Sequence, residues 1–249
     1  SEVQWVEEES YFFKLSEWTN KLLDFYSKNP NFISPNTRFN EVISFVKGGL
    51  KDLSISRTTF NWGIPVPNDD KHIIYVWLDA LQNYLSALGF PDTNSTLFKK
   101  FWPAVHIVGK DILRFHSVYW PAFLMAANLP VPKKIYSHGW WTNEGKKISK
   151  SLGNVIDPFE LVNQFGLDEV RYFLFSQVPF GEDGDFSKKS IIDRINSDLS
   201  NDYGNLVQRV CLFIYKQCNG SIDNDSNYND EDKEILNKSI KIFNKYKEN

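Results

Sequence analysis

The run from Ala104 to Trp141 restricts the fold more than any other part of the chain. "AVHIVG" is a short, apolar, β-branched segment suited to a buried strand, and "DILRFHSVYWPAFLMAANL" carries its apolar residues at helical spacing. "KKIYSHGWW" then returns to strand character. A strand, a helix and a second strand in so few residues predict a right-handed βαβ unit. That in turn predicts a parallel sheet whose ligands gather at the carboxyl ends of its strands. Asp111 stands where it would cap the helix, and Pro121 predicts a kink inside it.

Flanking segments extend this α/β pattern. "SEWTNKLLDFYSKN" and "TRFNEVISFVKGGL" predict two helices, stopped by Asn29-Pro30 and by Gly48-Gly49. "NWGIPVP" predicts extended, irregular chain, and "HIIYVWL" a buried strand. Further on, "DPFELVNQFG" and "LDEVRYFLFSQ" predict short helices, and Lys188 to Cys218 one long amphipathic helix. No strand is expected after residue 140. The polar, acidic stretch 219–230 reads as a linker before a last Lys-rich helix.

With 249 residues, 42% hydrophobic and 16% aromatic, the chain can bury a sizeable core and is not of the disordered class. Its net charge of −3 means that any binding of nucleic acid uses a local basic patch. Cys211 and Cys218, seven apart, fit neither a zinc-ligand spacing nor a disulfide framework, so buried thiols on one helix face are expected, in a reducing setting. No apolar run approaches the roughly 18 residues of a membrane span. The opening "SEVQWVEEES" lacks Met and a signal-like pattern and reads as the start of a fragment.

Three groups of residues point to chemistry. In "GKKISKSLGN", Lys147, Ser149 and Lys150 lie between Gly145 and Gly153, where the backbone can bend toward a ligand. Lysine charges so placed stabilise negative charge developing on a phosphoryl group, although a Lys-rich loop taken alone is more often a solvated turn. A position directly after a predicted parallel strand favours phosphate. "HIVGKDILRFH" places Gly109 at a strand end and Asp111 at a helix start, where a carboxylate either caps the helix or holds a nucleotide ribose. Finally, Ile112, His116 and Trp120 recur at i, i+4 and i+8, and Trp77, Ala80 or Leu81, and Tyr84 share a second face if the chain turns helical there. Core packing accounts for either face alone; together they suit a modest apolar pocket that would take a flexible thioether.

"GKKISKSLGN" resembles the lysine-serine signature loop of the class I aminoacyl-tRNA synthetases, with Ile148 at the usual Met position. Together with "DLSISR", "WGIPVP", "YVWLDALQNY", "HIVGKDILRFHSVYWPAFL" and "KISKSLGNVIDP", it resembles the methionyl-tRNA synthetase family in its bacterial or organellar form, over nearly the whole chain. That resemblance implies a Rossmann-like parallel-sheet catalytic domain, of which this is the second half, followed by an all-α helical domain. Residues 1–50 would be the end of a connective insertion with linking helices, 51–187 the second half of the catalytic domain with its signature-loop and stem-contact region, and 188–249 the start of an anticodon-binding domain.

The implied activity is ATP-dependent activation of L-methionine to methionyl-adenylate, with Mg2+, and transfer to tRNA(Met). Lys147, Lys150, Ser149 and Arg57 match the catalytic positions. Gly109, Asp111, His138 and Gly139 match ATP-binding positions, with Asp111 at the ribose, and the two lysines meet the phosphates. Trp77, Ala80, Leu81, Tyr84, Ile112, His116 and Trp120 match the methionine pocket, some members having Pro at the Leu81 position. Asn205 and Arg209, four apart on one helix face, match the anticodon contacts; unaided, they read as a solvated polar pair.

One family motif, His-x-Gly-His, does not occur here. The chain is therefore expected to need the N-terminal half of the same enzyme as its partner and to be inactive in isolation. No zinc or other structural metal is expected on this segment, no membrane contact, and a cytoplasmic or organellar location. Two other readings stay open: another class I synthetase for an aliphatic amino acid, and a non-catalytic nucleotide- or RNA-binding fragment. The pocket residues in "YVWLDALQNY" and "DILRFHSVYW" argue against the first.

Overall fold

The structure, a computed structural model, describes residues 8–222 and 228–248. Residues 1–7 of the expected insertion and 223–227 of the expected linker lie outside the described residues. The chain divides into two compact units, one ending at Ile191 and one beginning at Ile192.

The first unit opens with β1 (Phe12–Phe13), α1 (Thr19–Lys28), β2 (Ile33–Ser34) and α2 (Asn36–Lys47). The predicted helix periods are seen in Leu22 with Tyr26 and Val42 with Val46, all buried. Tyr26 donates its hydroxyl to the Ser117 carbonyl at 2.6 Å, and burial pushes its ionisation up. Next come β3 (Leu53–Ser54), β4 (Ser56–Arg57), β5 (Pro65–Val66) and β6 (Asp69–Ile74), of which β4, β6 and β5 form a small antiparallel sheet. "WGIPVP" thus contributes an edge strand, where proline's missing N–H is tolerated. The strand expected in "HIIYVWL" ends at Ile74, and α3 (Val76–Ser86) has already begun at Val76. Then follow α4 (Thr96–Phe101), β7 (Val105–Gly109), α5 (Trp120–Ala126) and β8 (Lys134–His138).

β7 and β8 are parallel neighbours, and β2 joins β8 in parallel on its other side. Leu22, Tyr26, Val42, Val46, Val108, Leu113, Val118 and Ile135 meet in one core. Leu81, Leu85, Phe98, Trp102, Trp120 and Leu124 form a second.

The crossover from β7 to β8 is not one regular helix. It runs through a 3-10 turn (Lys110–Ile112), a π-helical turn (Phe115–Tyr119) and α5. Gly109, not Asp111, holds the cap position. Pro121 falls in the first turn of α5, directly after the π-helical turn, where its missing N–H leaves a gap in the helical ladder.

The strand expected over residues 133–141 divides at Gly139. β9 (Trp141–Asn143) and β10 (Lys146–Lys147) form a hairpin, and β11 (Gly184–Phe186) pairs with β9 in parallel, all beyond residue 140 where no strand was expected. Two- and three-residue strands carry no readable alternation, and β11 lies about 40 residues from its partner. Between them, α6 (Pro158–Phe165) starts at Asp157, whose carboxylate accepts from Phe159 N, and α7 (Leu167–Ser176) follows, as predicted.

The run from Lys188 to Gln217 is helical throughout: α8 (Lys188–Arg194), a π-helical stretch (Ile195–Gly204) and α9 (Asn205–Gln217). α10 (Asp230–Glu248) is the last Lys-rich helix. Cys211 and Cys218 are exposed, against expectation, because α9 buries none of its residues. Among the described residues no helix is long and apolar enough to cross a membrane.

Candidate active site

β7 and β8 end side by side, with Gly109 paired to His138. Parallel strand ends of this kind are where α/β sheets receive ligands. A Cβ on Gly109 would lie 2.6 Å from Asp111 Oδ1, so the bare glycine lets that carboxylate fold back over the strand end. Asp111 is exposed and accepts from Trp140 Nε1 at 3.3 Å. Lys110 lies over the Trp140 ring, 4.6 Å from its centroid, and pairs with Asp183, which also accepts from Trp140 N at 2.9 Å. The Lys110 ammonium, then the Trp140 amide, hold the Asp183 carboxyl below its ordinary range. A Cβ at Gly139 would sit 2.0 Å from the Glu182 carbonyl oxygen, so only glycine lets that segment pass. This crossing of chains is why β8 stops at His138. The Asp111 and Asp183 carboxylates, the His138 imidazole and the Trp140 ring are all exposed around Gly109 and Gly139.

The signature loop rises from the hairpin, not directly from the parallel sheet as expected. Glu144 (φ 51°) and Gly145 (φ 73°) close the hairpin with the paired positive φ values of a type I′ turn. Asp185 on β11 braces it by accepting from Thr142 Oγ1 and Gly145 N, which lower its carboxyl pKa. Lys147 is exposed at the end of β10. Ser149 pairs with Ser151, their hydroxyl oxygens 2.6 Å apart. Lys150 begins a 3-10 turn; its side chain lies outside the described residues.

The aromatic pair of faces also forms. α3 carries Trp77, Ala80, Leu81 and Tyr84; Leu81 is buried, Trp77 and Tyr84 half-buried and Ala80 exposed. Trp77 stacks on Phe115, with ring centroids 3.7 Å apart at 16°. His116 is buried and lies in the π-helical turn, its Nδ1 3.0 Å from the Ile112 carbonyl, which can only accept, and its Nε2 2.8 Å from the Tyr84 hydroxyl. Burial holds His116 below its ordinary pKa, so the ring is neutral, with its proton on Nδ1. Tyr84 must therefore donate to Nε2. The pair then has no N–H or O–H left for a ligand. Trp120 is buried against Leu81 and Leu85. Ile112 departs from its expected face: its side chain packs against the other core, and it serves the site through its carbonyl.

One candidate of the first unit is not brought to this cluster. Arg57 lies over the Tyr75 ring at 4.3 Å and donates to Ser54 Oγ and to its neighbour's carbonyl, at the entry to α3. Asn205 and Arg209 are exposed on α9, in the second unit.

A family profile described as "tRNA synthetases class I (M)" matches residues 1–211. The methionine–tRNA ligase of Rickettsia bellii is 66% identical over 221 residues, 88% of this chain and 43% of its own length. That of Brucella suis is 59% identical over 238 residues, 95% of this chain and 46% of its own. The structure of Mycobacterium tuberculosis methionyl-tRNA synthetase in complex with methionyl-adenylate superposes with a TM-score of 0.82 at 54% identity, covering 94% of this chain and 46% of that one. The chain belongs to the methionyl-tRNA synthetase family of class I. It spans less than half the length of these relatives. Its parallel sheet is thus part of the Rossmann-like α/β domain of that family, followed by a helical region.

His106 is the residue of this cluster that the sequence reading passed over. It lies 4% exposed on β7, its ring 4.2 Å from Tyr84 and 5.7 Å from His116 by centroids. Burial, then the neighbouring His116, pushes its pKa down to about 4. Its Nε2 and Trp120 Nε1 have no hydrogen-bond partner among the described residues, leaving two polar atoms inside an otherwise apolar cage. The available signal was the alternation of β7, which puts residues 106 and 108 on one buried face.

Proposed function

We propose that the full-length enzyme carrying this chain activates L-methionine with ATP, as its Mg2+ complex, to methionyl-adenylate and transfers the methionyl group to tRNA(Met). One observation carries the reading. The turn Lys110–Ile112 bears the exposed Asp111 carboxylate and, one residue on, the carbonyl that orients His116. A single turn thus joins an exposed carboxylate, suited to ribose hydroxyls, to the neutral aromatic cluster around His116, suited to a thioether, the two ends of an aminoacyl-adenylate.

In this reading Asp111 holds the ribose hydroxyls, with Gly109, His138 and Gly139 around the adenosine. Lys147, Lys150 and Ser149 meet the phosphates and stabilise charge as the methionine carboxylate attacks the α-phosphorus. Trp77, Leu81, Tyr84, His116 and Trp120 enclose the side chain, with Ala80 at the rim and the Ile112 carbonyl fixing His116. Aromatic filling suits the task, since a single methylene is worth only about 1–3 kcal/mol of discrimination. Arg57 supports activation from the entry to α3.

Residues 51–187 would be the second half of the catalytic domain, after the end of a connective insertion at 1–50, and 188–249 would begin the anticodon-binding domain, with Asn205 and Arg209 toward the tRNA. The N-terminal half of the enzyme completes the ATP site in the cytoplasm. In support, β7 ends the parallel sheet with Ile107 72% exposed, an edge suited to a further strand. A structure of the full-length enzyme with methionine tests the reading: the thioether is expected between Trp77, His116 and Trp120, and methionine bound elsewhere overturns it.

A further inference from the structure

Asn154 closes the signature loop on itself. Its Oδ1 accepts from the Ser149 N–H at 2.9 Å, and its Nδ2 donates to the Lys147 carbonyl at 2.9 Å. Its own carbonyl accepts from Asn143 Nδ2 at 3.0 Å, which ties the closure to β9. One carboxamide therefore spans the arc from Lys147 to Ser149 on both its donor and its acceptor side. Between that arc and Asn154, Ser151 N donates to Ser149 Oγ at 3.2 Å, and Leu152 N to the Ser149 carbonyl at 3.1 Å.

Burial cannot hold this loop. Leu152 and Val155 are exposed, Ile148 is only half-buried, and Lys147 makes no ion pair among the described residues. Polar pins are what remain to fix its backbone, and the Asn154 carboxamide supplies two of them, to residues five and seven positions earlier in the chain.

We propose that Asn154 is a positioning residue for amino-acid activation: its carboxamide holds the backbone between Lys147 and Ser149 in one arc, so that the signature lysines meet the triphosphate together. This rests on the methionine-activation reading. Asn154→Ala removes both bonds. Asn154→Asp keeps the acceptor for the Ser149 amide but sets a carboxylate against the Lys147 carbonyl oxygen.

Two measurements on the full-length enzyme test it. In methionine-dependent ATP–pyrophosphate exchange, Asn154→Ala is expected to lower kcat/KM for ATP about tenfold or more, equivalent to about 1.4 kcal/mol. The methionine KM should stay within about twofold, because its pocket is built on other elements; a merely structural role would move both. In amide hydrogen exchange, Asn154→Ala should speed exchange at Ser149 by about tenfold or more, while Asn154→Asp retains most of the protection. Wild-type ATP kinetics in Asn154→Ala, or Ser149 exchange unchanged by it, overturns the proposal. If the wild-type enzyme shows no methionine-dependent exchange, the functional reading fails instead, and the Ser149 amide still decides whether Asn154 holds the loop.

Discussion

Acidification from pH 7.5 to 4.5 should destabilise the chain by about 2.5 kcal/mol through His106 alone. Its ring is 4% exposed, among Tyr84, Trp102 and His116, with no carboxylate in that cluster. Its pKa falls from 6.5 to about 4 on folding. Between those values the unfolded chain takes up a proton that the folded chain refuses, so stability falls as pH drops through 6.5 and levels off below about 4. The whole gap is worth about 3 kcal/mol, most of it inside the chosen window. His116, also held low by burial, adds in the same direction. Urea unfolding followed by the fluorescence of the eight tryptophans, at both pH values, measures the loss. His106→Phe keeps a ring of similar size without the titration, and carboxylates common to both proteins cancel. The wild-type chain should lose about 2.5 kcal/mol more than the variant; an equal loss in both refutes the reasoning.

Further outcomes follow from the same geometry. Lys147→Ala or Lys150→Ala in the full-length enzyme should slow methionine activation about 100- to 1000-fold with little change in methionine KM, since each removes a donor to transition-state charge; a loss of only a few-fold in single-turnover adenylate formation counts against the phosphate role. Tyr84→Phe removes the hydroxyl 2.8 Å from His116 Nε2 and should cost about 1–2 kcal/mol of stability and weaken methionine binding, read by thermal unfolding and by KM. Gly139→Ala drives a methyl into the Glu182 carbonyl and should cost about 1–3 kcal/mol; an unchanged Tm contradicts the crossing described at the end of β8.

The elements visible in the sequence were those with enough residues to show a period. β7, β8, α1, α2 and α3 each bury a regular set of side chains, and α3 brings Trp77, Leu81 and Tyr84 to the site as the spacing implies. The departures have local causes. Asp111 left the cap position because Gly109 makes room for its carboxylate beside Trp140. β8 stopped early because the Glu182 carbonyl crosses at Gly139, a contact between residues more than 40 positions apart. The hairpin under the signature loop depends on β11 and Asp185, equally distant in sequence. His106 carries no motif, and only the assembled cage shows which rings it meets.

Methionine activation is tested most directly by ATP–pyrophosphate exchange with the full-length enzyme across a panel of methionine, leucine, isoleucine and valine. Exchange should be strongest with methionine, as an aromatic pocket built from Trp77, Leu81, Tyr84, His116 and Trp120 requires. Equal or stronger exchange with any of the other three contradicts it.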